Sequence, residues 1–254
     1  MRRALGIAAG VVTHLLFAAT VWKLFPFLEG IAGQASDPAP MSASAGALWI
    51  DFLLASQFAI VHSALLLPAV RSHLERLVPS AFYGLFFCTT TCFSLMLLFW
   101  QWRSNSVVIW RANGAAATVV EIAFAASWIC LFYSLWLSGL GYQTGWTPWR
   151  YWLIGRSPPR RQFRPRSAYL IMRHPVYLSF LGLIWFVPTA TLDRGLLILV
   201  WTIYVFVGSY LKDRRLQYYL GPTYREYQAR VPGYPGMLVG PLARVPWGEG
   251  TAAN

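Results

Sequence analysis

Tyr169-Leu-Ile-Met-Arg-His-Pro-Val-Tyr177 joins a fixed backbone break to an arginine, a histidine and two phenol hydroxyls, between a basic stretch and an apolar run. Proline lacks an N–H, locks φ and keeps the residue before it out of helix. The spacing therefore predicts a helix beginning at Pro175 or Val176. Arg173 and His174 then stand at that helix's N-terminus, where unpaired backbone donors and the dipole favour an anion. Polar chemistry at the mouth of an apolar helix marks a pocket.

Working outward, the segment before this break, Gly141 to Met172, carries Arg150, Arg156, Arg160, Arg161, Arg164 and Arg166. The segments after it, Val176 to Thr191 and Leu196 to Leu211, are apolar and separated by Asp193-Arg-Gly195, which reads as a turn. They form a helical hairpin with its polar ends beside the basic loop. Lys212 to Tyr234 continues as an amphipathic, proline-terminated segment. Upstream, four further helices are expected at about Leu5 to Leu28, Ala47 to Leu67, Ala81 to Trp102 and Ala115 to Leu140.

Composition agrees with this series of spans. Of 254 residues, 57% are hydrophobic and 12% charged, and mean hydropathy is +0.47. A soluble domain would carry roughly twice that charge, and apolar runs of about 20 residues match the length a helix needs to cross a bilayer. The expected fold is all-α: a single polytopic membrane domain of about five to six transmembrane helices ending in a hairpin and an amphipathic cytoplasmic segment. Its parts are a four-helix region (5–140), a basic loop (141–175) and the hairpin with its C-terminal motif (176–234).

The net charge of +12 comes from arginines clustered between spans. That is the positive-inside pattern, not a nucleic-acid footprint, and it places the basic loop and both termini in the cytoplasm, in a bacterial inner membrane. The connection from Glu29 to Ala45 has no lysine or arginine and is expected outside. Met1-Arg-Arg with the apolar run behind it imitates a signal peptide, and Ala43-Ser-Ala resembles a cleavage site. The run is too long for a signal h-region, so a retained first helix is expected. Cys88, Cys92 and Cys130 lie in apolar runs without metal-like companions; no metal site or disulfide framework is expected.

Several side chains are candidates for chemistry. Asp51 and His62, eleven residues apart, share a helix face; a pocket role and simple bonding to neighbouring helices are both open, because ionisable groups in spans face an interior. His14, alone on the first helix, is expected to be structural. Ser127, Ser134 and Ser138 form a small-residue stripe suited to close packing. Asp213 and Arg214 emerge at the end of the last span, and Tyr224 and Tyr227, three apart, share a face. On spacing alone, a stop-transfer cluster followed by an interfacial helix is the favoured reading of that region.

Together these pieces resemble the isoprenylcysteine carboxyl methyltransferase superfamily. The likeness rests on Tyr169 before Arg173-His-Pro-Val-Tyr177, the hairpin, and Gly221, Tyr224, Tyr227 and Val231-Pro232. Phe58-Ala-Ile-Val-His-Ser63 and Leu98-Phe-Trp-Gln-Trp-Arg103 extend it toward the methanethiol S-methyltransferase branch. The resemblance implies S-adenosylmethionine as cofactor, bound on the cytoplasmic side by Tyr169, Arg173, His174, Pro175, Val176, Tyr177, Asp213, Tyr224 and Tyr227. Arg173 would receive the methionine carboxylate and Asp213 an amine or hydroxyl. Arg214 would orient charge and His62 would face the acceptor, a small thiol such as methanethiol.

Two departures stand out. Lys212-Asp213 replaces a family pair of glutamates, and Gly208-Ser209 replaces an arginine found in the carboxyl-methylating branch. A lipidic or prenylated acceptor, a nicotinamide-dependent membrane reductase and a non-catalytic membrane scaffold are the alternatives.

Overall fold

A helix buries its own backbone polar groups, which is what a hydrocarbon solvent demands. The computed structural model, which describes residues 2–30, 45–160 and 162–246, is built accordingly. Four long apolar helices come first: α1 (Arg2–Glu29), α2 (Ala45–Leu66), then, after the short α3 (Pro68–Leu74), α4 (Ser80–Gln101), and, beyond strand β1 (Val108–Arg111), α5 (Ala115–Ser138). The basic region contains three short helices, α6 (Leu140–Gln143), α7 (Trp146–Leu153) and α8 (Ala168–Ile171). The chain then runs through α9 (Pro175–Trp185), β2 (Thr189–Thr191), α10 (Leu192–Leu220) and α11 (Pro222–Arg230).

Five of these helices, α1, α2, α4, α5 and α10, are long and apolar enough to cross a bilayer. With their outer faces exposed, Trp22 and Trp100 among them, they make this an integral membrane protein. The expected outer connection through residues 31–44, with its cleavage-like Ala43-Ser-Ala, lies outside the described residues.

α9 begins at Pro175, where the proline rule places it, but it has only 11 residues. At about 1.5 Å per residue it spans roughly half a bilayer core. Extended chain follows it: β2 pairs antiparallel with β1, with Trp110 opposite Ala190 and Arg111 opposite Thr189. Strand pairing satisfies backbone groups that would otherwise face hydrocarbon.

Asp193-Arg-Gly195 is not a turn. It lies in the first turns of α10, because Asp193 has specific partners there. Its Oδ1 accepts from Asn105 N at 3.1 Å and Thr191 Oγ1 at 2.6 Å, and its Oδ2 accepts from Trp102 Nε1 at 3.0 Å. Asp51 joins this far-end cluster, accepting from Arg103 N at 3.0 Å.

The larger of two core clusters is contributed by α1, α2, α4, α5, α9 and α10, with Leu98, Leu183, Leu197 and Trp201 almost wholly buried. The serine stripe acts as expected of small residues: a Cβ on Gly182 would collide with Ser127, so α5 and α9 pack nearly backbone to backbone. His14 is structural, its Nδ1 2.7 Å from Gly10 O and its ring beside Trp146 and Trp149.

Candidate active site

Met172 is extended (φ −147°, ψ 152°) and carries the chain from α8 to His174, the residue before α9. The backbone of this link is stitched to the C-terminal tail. Arg173 N donates to Pro232 O at 2.9 Å, His174 N to Gly233 O at 3.2 Å, and Gly233 N to Leu242 O at 2.7 Å. The tail past α11 therefore forms one wall of the site.

Side chains reinforce the stitch. Arg173 is 1% exposed. Its Nε and Nη2 donate to Asp213 Oδ2 at 3.1 and 2.9 Å, and its Nη1 to the carbonyls of Val231 at 2.6 Å, Ala243 at 3.1 Å and Gln228 at 3.4 Å. Asp213 Oδ1 accepts from Tyr224 Oη at 2.5 Å and lies 3.2 Å from His174 Nε2. Tyr227 Oη donates to Tyr169 O at 2.5 Å, and Ser209 Oγ meets Tyr234 Oη at 2.5 Å. Phe163, from the basic loop, packs edge-on against Tyr224 and Tyr227.

The structure places five of the expected site residues as follows. Arg173 has nearly all its donors committed to protein acceptors, so it is a buried clasp. Asp213 accepts from Arg173 and Tyr224 and lies close to His174 Nε2, so it braces the site. Tyr224 and Tyr227 brace it too, and burial pushes both phenols above their ordinary range. Arg214 is exposed on the outer side of α10.

His174 differs from these braces. It is fully buried, its Nδ1 has no partner, and its Nε2 is poorly aligned toward Asp213. Burial holds its pKa down at about 4, against the upward pull of the Asp213 carboxylate. Tyr177 stands edge-on to the ring at 5.6 Å, and Tyr234 lies on another side at 5.5 Å. The first turn of α9 has no side-chain cap. Pro175 and Val176 thus contribute helix-end backbone, and His174 a buried polar ring, to an aromatic recess.

A second group lies beside it, on α2 and α10. His62 Nδ1 is 2.7 Å from Tyr204 Oη, with Phe58 and Phe87 against the imidazole. A Cβ on Gly208 would lie 3.3 Å from Tyr177 Cε1 and 3.8 Å from Tyr204 Cε2, so Gly208 is where the two groups meet. A side chain at Gly208 would crowd the Tyr177 ring. Arg215, bonded to Leu66 O at 3.4 Å, acts electrostatically on His62, Tyr177 and Tyr204. Asp51, on the same helix as His62, belongs to the far-end cluster and not to this site.

Sequence reasoning missed Tyr204, Arg215 and Tyr234. The signal for the first two was present: Tyr204, Gly208, Lys212 and Arg215 recur at steps of four, four and three, one face of a helix. That face becomes visible only when α10 is taken as continuous through its charged end.

No family model and no solved structure matches the chain. Among characterised proteins, Methanethiol S-methyltransferase 1 of Bradyrhizobium diazoefficiens is 30% identical over 87% of this chain and 79% of its own length. The chain belongs to the isoprenylcysteine carboxyl methyltransferase superfamily. A methanethiol S-methyltransferase of Mycobacterium tuberculosis is 26% identical over 91% of this chain and 96% of its own. Nurim of Rattus norvegicus is 28% identical over 70% and 71%. As a member of this superfamily the chain is a membrane-embedded methyltransferase that uses a methyl donor. The departure at Lys212-Asp213 leaves the motif's fold intact, because Asp213 still reaches Arg173 and Tyr224.

Proposed function

We propose that this methyltransferase moves the methyl group of S-adenosylmethionine to methanethiol from the cytoplasmic side of a bacterial inner membrane. The observation that carries the reading is the unpartnered Nδ1 of the buried His174 ring at the uncapped start of α9, set in a chain that matches methanethiol S-methyltransferases along most of its length.

The residues present suit such a cofactor. His174 Nδ1 offers a buried polar partner, the first backbone donors of α9 suit a carboxylate or hydroxyl, and the faces of Tyr169, Tyr177 and Tyr234 suit a sulfonium cation. When bound, S-adenosylmethionine supplies an electrophilic methyl group on sulfur. The protein's own part is positioning and exclusion of water. Tyr204 fixes the His62 ring, leaving its second nitrogen to face the acceptor, and Phe58 and Phe87 keep that space apolar and small. A cytoplasmic site follows from charge: Arg150, Arg156, Arg160, Arg164 and Arg166 lie in the segment leading into it, and Arg3 Nη2 bonds Leu153 O at 3.3 Å, bringing the N-terminus to the same end.

Calorimetry of the detergent-purified protein against S-adenosylmethionine and S-adenosylhomocysteine, followed by detection of dimethyl sulfide from methanethiol, tests this. Binding and product are expected. Absence of binding, or binding with no methylation of any thiol, overturns it.

A further inference from the structure

We propose that the loop 235–241 of the C-terminal tail is a membrane tip: Met237-Leu238-Val239 lies in the phospholipid leaflet at the charged end of α10 and anchors one wall of the site to the bilayer. Leu238 and Val239 are 88% and 83% exposed. Gly236 (φ +75°) and Gly240 (φ +85°) bracket the three apolar residues with the left-handed backbone a chain reversal uses. The base of the loop is closed: Gly233 N donates to Leu242 O at 2.7 Å, Met237 N to Tyr234 O at 3.3 Å and Ala243 N to Gly240 O at 3.0 Å. Pro235 and Pro241 bring no N–H, so fewer backbone donors are left to seek water. The interface, where headgroups and water still reach the remaining ones, is the depth that suits such a loop.

The depth of the loop follows from α10. Leu199, Ile203, Phe206, Tyr210 and Arg214 are exposed and recur at steps of four, three, four and four, one outward face of the helix. That face is apolar as far as Tyr210, an interfacial aromatic, and then Arg214, a charge that belongs at headgroup level. Phe206 lies eight residues before Arg214, about 12 Å toward the hydrocarbon. The Tyr234 ring packs on Phe206 at 5.4 Å, and its hydroxyl meets Ser209 Oγ at 2.5 Å. The tail therefore reaches the lipid-facing side of α10 below the headgroups. Leu238 is four residues further on and no more than about 14 Å away.

Continuity with this lipid-facing face is what names lipid as the partner, and Arg244, exposed just past the loop, suits an anionic headgroup. The same tail accepts Arg173 N and His174 N at Pro232 O and Gly233 O, directly before the loop. Inserting the tip thus fixes the wall that faces the His174 recess, and the bilayer becomes part of what holds the site closed. The insertion itself does not depend on which methyl donor or acceptor the site takes.

The test uses the full chain with Cys130→Ala, which removes the exposed cysteine, and a bimane label on Leu238→Cys or Val239→Cys, in nanodiscs of phosphatidylethanolamine and phosphatidylglycerol. Chain-brominated phospholipid is expected to quench both labels and aqueous iodide to leave them bright. A label on Glu226→Cys, exposed on α11, should give the reverse. Adding Leu238→Asp to the Val239→Cys protein should abolish the lipid quenching and weaken S-adenosylhomocysteine binding severalfold in the same nanodiscs. Tip labels quenched by iodide but not by brominated lipid overturn the insertion. So does shielding from both quenchers, which would mean that a second copy or another part of the chain covers the tip. Unchanged S-adenosylhomocysteine affinity in Leu238→Asp overturns the anchoring of the site. A wild-type protein that binds no S-adenosylhomocysteine overturns the proposed function instead, and the quenching still decides the insertion.

Discussion

Replacing Asp213 by asparagine distinguishes a brace from a ligand contact. The carboxylate receives two N–H bonds from Arg173 and the Tyr224 hydroxyl, and the Arg173–Asp213 pair has side-chain exposures of 0% and 4%. Removing one partner of a buried pair leaves the other charge uncompensated and costs about 3–5 kcal/mol. For a chain of this size that is a fall of about 6–20 °C in midpoint, read by thermal unfolding in detergent. The loss should be shared: in a double-mutant cycle, Arg173→Met with Asp213→Leu should recover much of it, since the pair is removed with no orphan charge. An Asp213→Asn protein that unfolds like wild type yet no longer binds S-adenosylmethionine would refute the brace and return Asp213 to the ligand.

The buried His174 makes stability depend on pH. Its folded pKa of about 4 lies below the ordinary 6.5, so as pH falls through that window the unfolded chain takes up a proton the native state refuses. Roughly 3 kcal/mol of stability is lost between about pH 6.5 and 4, and His174→Gln should flatten that slope in a pH series of melts. Gly208→Leu drives a side chain against the Tyr177 and Tyr204 rings; it should cut kcat/KM at least tenfold, with a thermal midpoint lowered by the 1–3 kcal/mol typical of overpacking. Arg214→Ala should change neither stability nor turnover measurably because the residue is exposed, whereas Arg215→Ala should raise KM for the thiol. The reverse pattern would show that the wrong arginine faces the site.

The sequence reveals the spans because hydrophobic length is a local property, and the start of α9 because Pro175 acts on its immediate neighbour. It conceals what depends on partners far along the chain. Asp193-Arg-Gly195 carries turn-forming residues, yet backbone and indole donors from residues 102–105 hold the aspartate inside a helix. The four residues of β1 have no alternation of exposure to betray a strand, and only β2 explains them. The C-terminal motif shows the converse. Tyr169, Arg173, His174, Asp213, Tyr224 and Tyr227 are brought to one place as the motif implies, but Arg173 is tied there by hydrogen bonds to the carbonyls of Val231, Ala243 and Gln228. Side-chain identity alone does not disclose those bonds.

The half-length α9 also bears on how the chain enters its membrane. Eleven residues fall short of the ~20 by which an insertion machinery recognises a span, so α9 cannot be handed to lipid alone as it is synthesised. Its neighbours include α10 and, through β2, residues 108–111, which precede β2 by some 80 residues; an α9 that depends on them for insertion should fail to integrate in a chain truncated before α10.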